Sequence, residues 1–302
     1  MLRIIVLGAA AGGGVPQWNC GCAVCSAARN GQPELRSTQA SVAVSADGEH
    51  WFLINASPDI RQQITDNPAL HPKGAKLRHS PIAGVILTNG EVDAVAGLLS
   101  LREGWPFGVY AHERVHAILK SNSIFNVLNP DLVKRIPIET DAAFEPLLPD
   151  GTPSGLVVEA FEAPGKGAWY LEGISDDQPG DTLGLVIGEK AGGQKLVFLA
   201  ACARVTPEVE AKLAGAQLVF FDGTLWSDDE MIAQGLSRKT GQRMGHIAME
   251  AAIPALSDSG IDRKVFLHIN NSNPVLLPGS PERREAEAAG WLIPSDGMEI
   301  KL

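Results

Sequence analysis

Apolar residues in this chain fall in short runs separated by stretches rich in Gly, Pro, Asp and Ser. In the first half, the runs over 3–7, 41–45, 51–54, 84–87 and 109–111 predict strands. Asp47-Gly48 sits between the second and third of these and is a hairpin turn pair. Helices are predicted over 58–64 with Ser57 as N-cap, over 92–102 after a loop at 88–93, and over 113–119. The second half follows the same plan. Strands are predicted over 156–162, 168–171, 183–187, 195–199, 218–221 (ending at Asp222) and 264–267 (ending at His268). Helices are predicted over 206–213, with Thr206 as cap and Pro207 at the first position, over 246–256, and over 281–289.

This alternation of strands and helices indicates an α/β protein. Two successive ββ…α halves, joined near 149–155 within one domain spanning 1–302, suit two sheets packed face to face with helices outside. No run approaches the roughly 20 apolar residues of a membrane-spanning helix, so no membrane insertion is expected. Residues 1–11 loosely resemble a signal peptide, but the apolar run is short and enters Gly12-Gly13-Gly14-Val15-Pro16, which favours a strand and a cytoplasmic protein. A net charge of -10 over 302 residues, without a basic stripe, argues against nucleic acid or anionic lipid as partner.

Chemistry concentrates in a few places. Cys20-Gly21-Cys22-Ala23-Val24-Cys25 can wrap a tetrahedral zinc through three thiolates. Asn271, His246, His112 and Cys202 are candidates for the fourth ligand; a redox role is the alternative. The glycine-rich loop 8–14 follows a strand but opens no helix directly, which argues against a dinucleotide site. Glu91 and Asp93 lie between a buried strand and a helix, where α/β folds place their sites. The same positions also suit solvated acids at a helix N-terminus. His268, directly after an apolar strand, should emerge at the sheet edge that carries the 88–93 loop. His246 is a second candidate, although a lone histidine is more often structural. Arg61 and Lys73 could meet a substrate carboxylate or simply be solvated.

Taken in order, these pieces resemble the metallo-β-lactamase superfamily, and within it the coenzyme PQQ synthesis B family. The residues carrying the resemblance are Gly12-Gly13-Gly14-Val15-Pro16-Gln17-Trp18-Asn19-Cys20, Asn55-Ala56-Ser57-Pro58-Asp59-Ile60-Arg61, Thr88-Asn89-Gly90-Glu91-Val92-Asp93 and His268-Ile269-Asn270-Asn271-Ser272-Asn273-Pro274. In the superfamily's Thr-His-x-His-x-Asp-His frame, Asn89, Glu91 and Ala94 occupy the histidine positions and Asp93 is kept.

The resemblance implies an αββα sandwich and a role in making pyrroloquinoline quinone (PQQ) from a Glu and a Tyr of a small precursor peptide. It implies Glu91, Asp93 and His268 as ligands of one active-site metal and as the catalytic set. That metal would be Fe2+, with Mn2+, Mg2+ or Zn2+ as substitutes. Asn271 would complete a structural zinc with Cys20, Cys22 and Cys25. Asn89, Cys202 and His246 would support the metal or bind substrate. The activity implied is an O2-dependent hydroxylation of the tyrosine ring. A non-enzymatic carrier of PQQ or its precursor toward the periplasm is the alternative, and a metal-dependent hydrolase a third reading. Two carboxylates and one imidazole form a hard donor set that favours Fe(II), Mn(II) or Mg(II) over a histidine-rich zinc pair.

Overall fold

The computed structural model describes residues 1–74 and 76–302. The first part of the chain runs β1 (Arg3–Gly8), α1 (Ala23–Arg29), β2 (Ser41–Ser45), β3 (Trp51–Ile54), α2 (Ile60–Asp66), β4 (Ile82–Ile86), α3 (Val92–Val95), β5 (Phe107–Ala111), α4 (Glu113–Ser121), β6 (Val133–Pro137) and β7 (Ala143–Phe144). It continues through β8 (Leu156–Glu162), β9 (Leu183–Glu189), β10 (Leu196–Leu199), α5 (Pro207–Leu213), β11 (Leu218–Asp222), α6 (Glu230–Ala233), α7 (Gly241–Met244), α8 (Met249–Ala255), β12 (Lys264–Leu267), α9 (Pro281–Ala288), β13 (Trp291–Leu292) and β14 (Glu299–Lys301).

The strands form two seven-stranded sheets, ordered β14-β1-β2-β3-β4-β5-β6 and β13-β12-β11-β10-β9-β8-β7. Each is mixed: β3 to β6 and β10 to β13 pair in parallel, and the remaining neighbours pair antiparallel. Alternation along the strands explains the layers. In β1, Ile4 and Val6 face the second sheet and pack with Val158, Leu185 and Phe220. Ile5 and Leu7 face outward beneath Ile60, Val95 and Leu119 of the helical layer. On the other side, Val219, Phe221 and Phe266 meet Val209, Met249 and Ala286. The result is the αββα sandwich of the metallo-β-lactamase fold. Among the described residues, no helix is long and apolar enough to cross a membrane.

The carboxyl ends of the parallel strands supply the loops of one edge. Ile269 donates its N–H to the Ala9 carbonyl and accepts from the Ala11 amide, each at 2.9 Å. That pair stitches the segment after β12 to the glycine-rich loop after β1, and so draws the cysteine cluster toward Asn271.

Several local expectations are corrected. Residues 149–155 form the turn between β7 and β8, which pair within one sheet, so they do not join two halves. The chain changes sheet between β6 and β7, and β14 returns to the first sheet beside β1. Helix α2 begins two residues late, with Asp59 as cap. The helix expected over 92–102 is α3 followed by a tight turn over Ala96–Leu99. There the Gly97 amide leaves the helical ladder for the Ala56 carbonyl at 2.8 Å. The strand expected over 168–171 is a single helical turn, Trp169–Leu171. Its Trp169 amide is bound by a side chain, Glu91, instead of a partner strand. The helix expected from His246 starts at Met249, because Gly245 (φ 93°) ends α7 in a left-handed conformation and leaves His246 in a loop.

Candidate metal centres

Asn55 and Thr88 clamp the ends of adjacent strands. Asn55 Oδ1 accepts from the Thr88 amide and Nδ2 donates to Thr88 Oγ1, both at 2.9 Å. The loop after Thr88 is shaped by Asn89, whose Oδ1 accepts from the Glu91 amide at 3.0 Å. Glu91 is the N-cap residue of α3, and Asp93 lies in the first turn. Gly12 backs this turn: a Cβ there would stand 3.5 Å from Asp93 Oδ2.

His268 follows β12 with φ 59°, a left-handed conformation that is uncommon outside glycine and clusters at functional sites. This places Nε2 2.8 Å from Asp93 Oδ2. Nδ1 lies 2.9 Å from Thr224 Oγ1. Beneath it, the fully buried Asp222 organises the floor. Its Oδ2 accepts from the Cys202 amide at 2.8 Å and pairs with His246 Nδ1 at 2.7 Å. Its Oδ1 accepts from the Thr224 amide at 3.0 Å and from Thr224 Oγ1 at 2.8 Å. The His246 and His268 rings stack with centroids 5.2 Å apart.

Burial opposes charge on Asp93, His268 and Glu91. For Asp93 the hydrogen bond and charge of His268 outweigh burial and hold the carboxyl below its usual range. Burial likewise opposes a charged His268, but Asp93 outweighs it and the imidazole's pKa is raised. Glu91 is pushed up, mainly by burial and also by Asp93, against the Trp169 amide bound to its Oε1 at 2.6 Å. Its second oxygen has no hydrogen-bond partner among the described residues.

These donors fit a divalent ion. Neighbouring ligands around an octahedral ion stand roughly 3 Å apart. Asp93 Oδ2 and His268 Nε2, 2.8 Å apart, match that spacing. The structure brings Asp93 and His268 of the expected set together; Glu91 lines the same cleft but does not join them in a cluster of ligand atoms within 4.8 Å of one another. Asp222, His246 and His268 also have ligand-type atoms within 4.8 Å of one another. Asp222 spends both oxygens on hydrogen bonds, so it acts on the imidazoles and orients them.

A cleft of about 620 Å³ opens over Asn89, Glu91, Asp93, His246 and His268, with Trp169 at its lip. Cys202 does not line it. The Cys202 thiol is buried against the Arg204 carbonyl and pushed up to about 12, first by burial and then by Asp222. Its contribution to the site is the backbone amide. Arg61 and Lys73 also lie outside the lining, and Lys73 pairs with Glu49 at 3.0 Å. The cations that do line the cleft are Lys166, Lys239 and Arg243.

The second centre is the cysteine cluster. Thiolates at about 2.3 Å from a tetrahedral zinc stand roughly 3.8 Å apart. The sulfurs of Cys20, Cys22 and Cys25 lie within 4.8 Å of one another. The Asn271 amide group is 3.4 Å from Cys25 Sγ and 3.7 Å from Cys22 Sγ. Exchanging its amide N and O turns the oxygen toward the sulfurs. The other three candidates are engaged elsewhere: His246 with Asp222, Cys202 with Arg204, and His112 as the cap of α4. The donor set therefore fits one zinc with Asn271 as the fourth side.

Asp222 and Thr224 were not singled out in the sequence. Asp222 reads as the polar end of an apolar strand; its signal is a carboxylate at the carboxyl end of a parallel strand, one strand from His268.

A match to the Beta-lactamase superfamily domain covers residues 50–269. Coenzyme PQQ synthesis protein B of Rhodopseudomonas palustris (strain BisB5) is 68% identical, over 100% of each chain. The chain belongs to the coenzyme PQQ synthesis protein B family. Membership places it in PQQ biosynthesis, within a superfamily that is often enzymatic. Among solved structures, Zn(2+)-bound PqqB from Methylobacterium extorquens is 48% identical, with a TM-score of 0.93 over 99% of this chain and 100% of that one. A diphosphatase of the PhnP family shares the fold, with 19% identity and a TM-score of 0.71 over 100% of this chain and 98% of that one.

Proposed function

We propose that this family member hydroxylates the tyrosine ring of a Glu-Tyr precursor of PQQ in the cleft above Asp93 and His268. The reading is carried by one observation: a carboxylate and an imidazole 2.8 Å apart, at the floor of a cleft with room for a dipeptide. Asp93, His268 and Glu91 would hold a ferrous ion, which when bound supplies O2 activation beside the ring. No second set of imidazoles stands at 89 and 94, so the dinuclear hydroxide chemistry of superfamily hydrolases lacks its ligands.

The chain's own residues set the geometry. Asp222 and Thr224 hold the Nδ1 sides of His246 and His268, directing their Nε2 atoms toward the cleft. The Trp169 amide fixes one Glu91 oxygen. His246 lines the cleft beside His268, and in this reading it would exchange a proton with the substrate phenol. Cys20, Cys22, Cys25 and Asn271 would hold a structural zinc that braces the glycine-rich loop behind Asp93.

Ring hydroxylation places one oxygen atom of O2 on carbon, and the other leaves as water with two electrons from an external reductant. The test is incubation of the Fe(II)-loaded protein with Glu-Tyr and ascorbate. An 18O2 atmosphere should yield a catechol carrying one labelled oxygen, and argon should yield none. Equal turnover without O2, or tight precursor binding with no product in any metal, would overturn the reading; the latter outcome describes a carrier.

A further inference from the structure

The cleft is bipolar. Its floor carries the carboxylates of Glu91 and Asp93, while Lys166, Lys239 and Arg243 line its outer wall. These cations come from two segments. Lys166 lies on the connection between β8 and β9, where Thr182 Oγ1 donates to its carbonyl at 2.9 Å. Its aliphatic stem crosses Gly245, where a Cβ would meet Lys166 Cγ at 3.2 Å, directly beside His246. Lys239 precedes the Thr240 cap of α7, and Arg243 lies in the last turn of that helix.

Three carboxylates line the cleft beside these cations, Glu172, Asp176 and Asp177, and among the described residues one of them pairs with a cation. Glu172, also on the cleft lining, forms an ion pair with Lys239. Its carboxyl is held below the usual range by Lys239 first, with Lys166 and Arg243 contributing. Lys166 and Arg243 make no side-chain hydrogen bond or salt bridge among the described residues. Of the other acids on this wall, Asp177 is committed to the Gly167 amide at 2.8 Å, and Asp176 lies beside it on the lining. Glu172 sits on an exposed turn. It is the chain's own carboxylate, held by a cation and overlooked by two more.

We infer that Lys166, Lys239 and Arg243 form a carboxylate-binding subsite, filled in this conformation by Glu172, which takes a carboxylate of an acidic, amino-acid-derived substrate. Substrate binding exchanges Glu172 for the ligand's carboxylate on the same cations, so those cations keep an anionic partner. The metal floor then receives the end of the ligand remote from that carboxylate. The inference rests on the cleft being the precursor's site and adds which residues select its charge.

The test is equilibrium binding, independent of turnover. The full metal-loaded chain is titrated under nitrogen with Glu-Tyr and with its carboxylate-free counterpart Gln-Tyr-amide, following heat by calorimetry and the chain's tryptophan emission, to which Trp169 at the lip contributes. The parent should bind Glu-Tyr at least about tenfold tighter, the scale of one lost charge-assisted hydrogen bond. The K166M/R243M double variant should narrow that ratio to about twofold. E172Q should move in the opposite direction, tightening Glu-Tyr severalfold and leaving Gln-Tyr-amide unchanged. All three side chains are at least partly exposed, so the fold should tolerate the changes. Equal affinity of the parent for the two probes, or an undiminished ratio in the double variant, overturns the subsite. Binding of neither probe overturns both the subsite and the function proposed above. Charge-selective binding without any hydroxylated product overturns the function alone.

Discussion

Replacing Asp222 by Asn tests how the floor of the cleft is held. The carboxylate is fully buried and accepts from the Cys202 amide, the Thr224 amide and Thr224 Oγ1, and pairs with His246 Nδ1. Asn keeps the shape but has one acceptor oxygen. If its NH2 faces Cys202 and His246, the Cys202 N–H is orphaned. If it faces Thr224, the hydroxyl can reverse, but the Thr224 N–H cannot. Either way one buried donor loses its partner, which costs about 1–3 kcal/mol. His246 and Thr224, and through Thr224 the ring of His268, also lose the anion that orients them. Loss of such an orienting partner weakens metal binding about 10–100-fold. The assay is urea unfolding of the metal-free proteins, followed by anaerobic competitive titration with Fe(II) or Mn(II). Affinity within about twofold of the parent's would refute a role for Asp222 in orienting the ligands.

Other outcomes follow from single contacts. Gly97→Ala puts a Cβ 2.2 Å from the Ser57 carbonyl oxygen, a backbone atom that cannot yield. It should destabilise by about 3 kcal/mol in urea and loosen the turn that carries Asp93. Glu230 is pushed up to about 6, first by burial, against hydrogen bonds from Ser272 and Trp226. Its folded pKa exceeds its unfolded value, so the charged form destabilises the fold above that pH, and the penalty fades as pH falls toward 4.5. Glu230→Gln should therefore gain up to about 2 kcal/mol in urea at about pH 8 and none near pH 4. Cys25→Ala should remove one zinc per chain by elemental analysis and lower Tm, while Fe(II) titration of the Asp93–His268 site persists.

Much of the architecture was legible because β-branched and aromatic runs such as Arg3–Gly8, Ser41–Ser45 and Leu218–Asp222 have only one packed solution, a strand buried on both faces. Caps carried as much information where the chain used them locally: Thr206 accepts from Val209 as expected. What was not legible depended on contacts from outside the segment. Ala168–Leu171 is apolar enough for a strand, but its amide at 169 is taken by Glu91, far away in sequence. His246 looked like a helix start, but the Ile247 amide is drawn to the Cys202 carbonyl and helix formation waits until Met249. At the site, Asp93 and His268 were readable through the family frame. Asp222 was not, because its role exists only once β11 and β12 lie side by side.

The function proposed above requires two separable metals, a structural zinc at the cysteines and a redox-capable ion at Asp93 and His268. Elemental analysis of protein purified without oxygen, beside Asp93→Ala purified identically, tests it most directly. About one zinc per chain is expected in both proteins, and iron in the parent alone. Loss of zinc and iron together in Asp93→Ala, or iron retained at the parent's level, would contradict it.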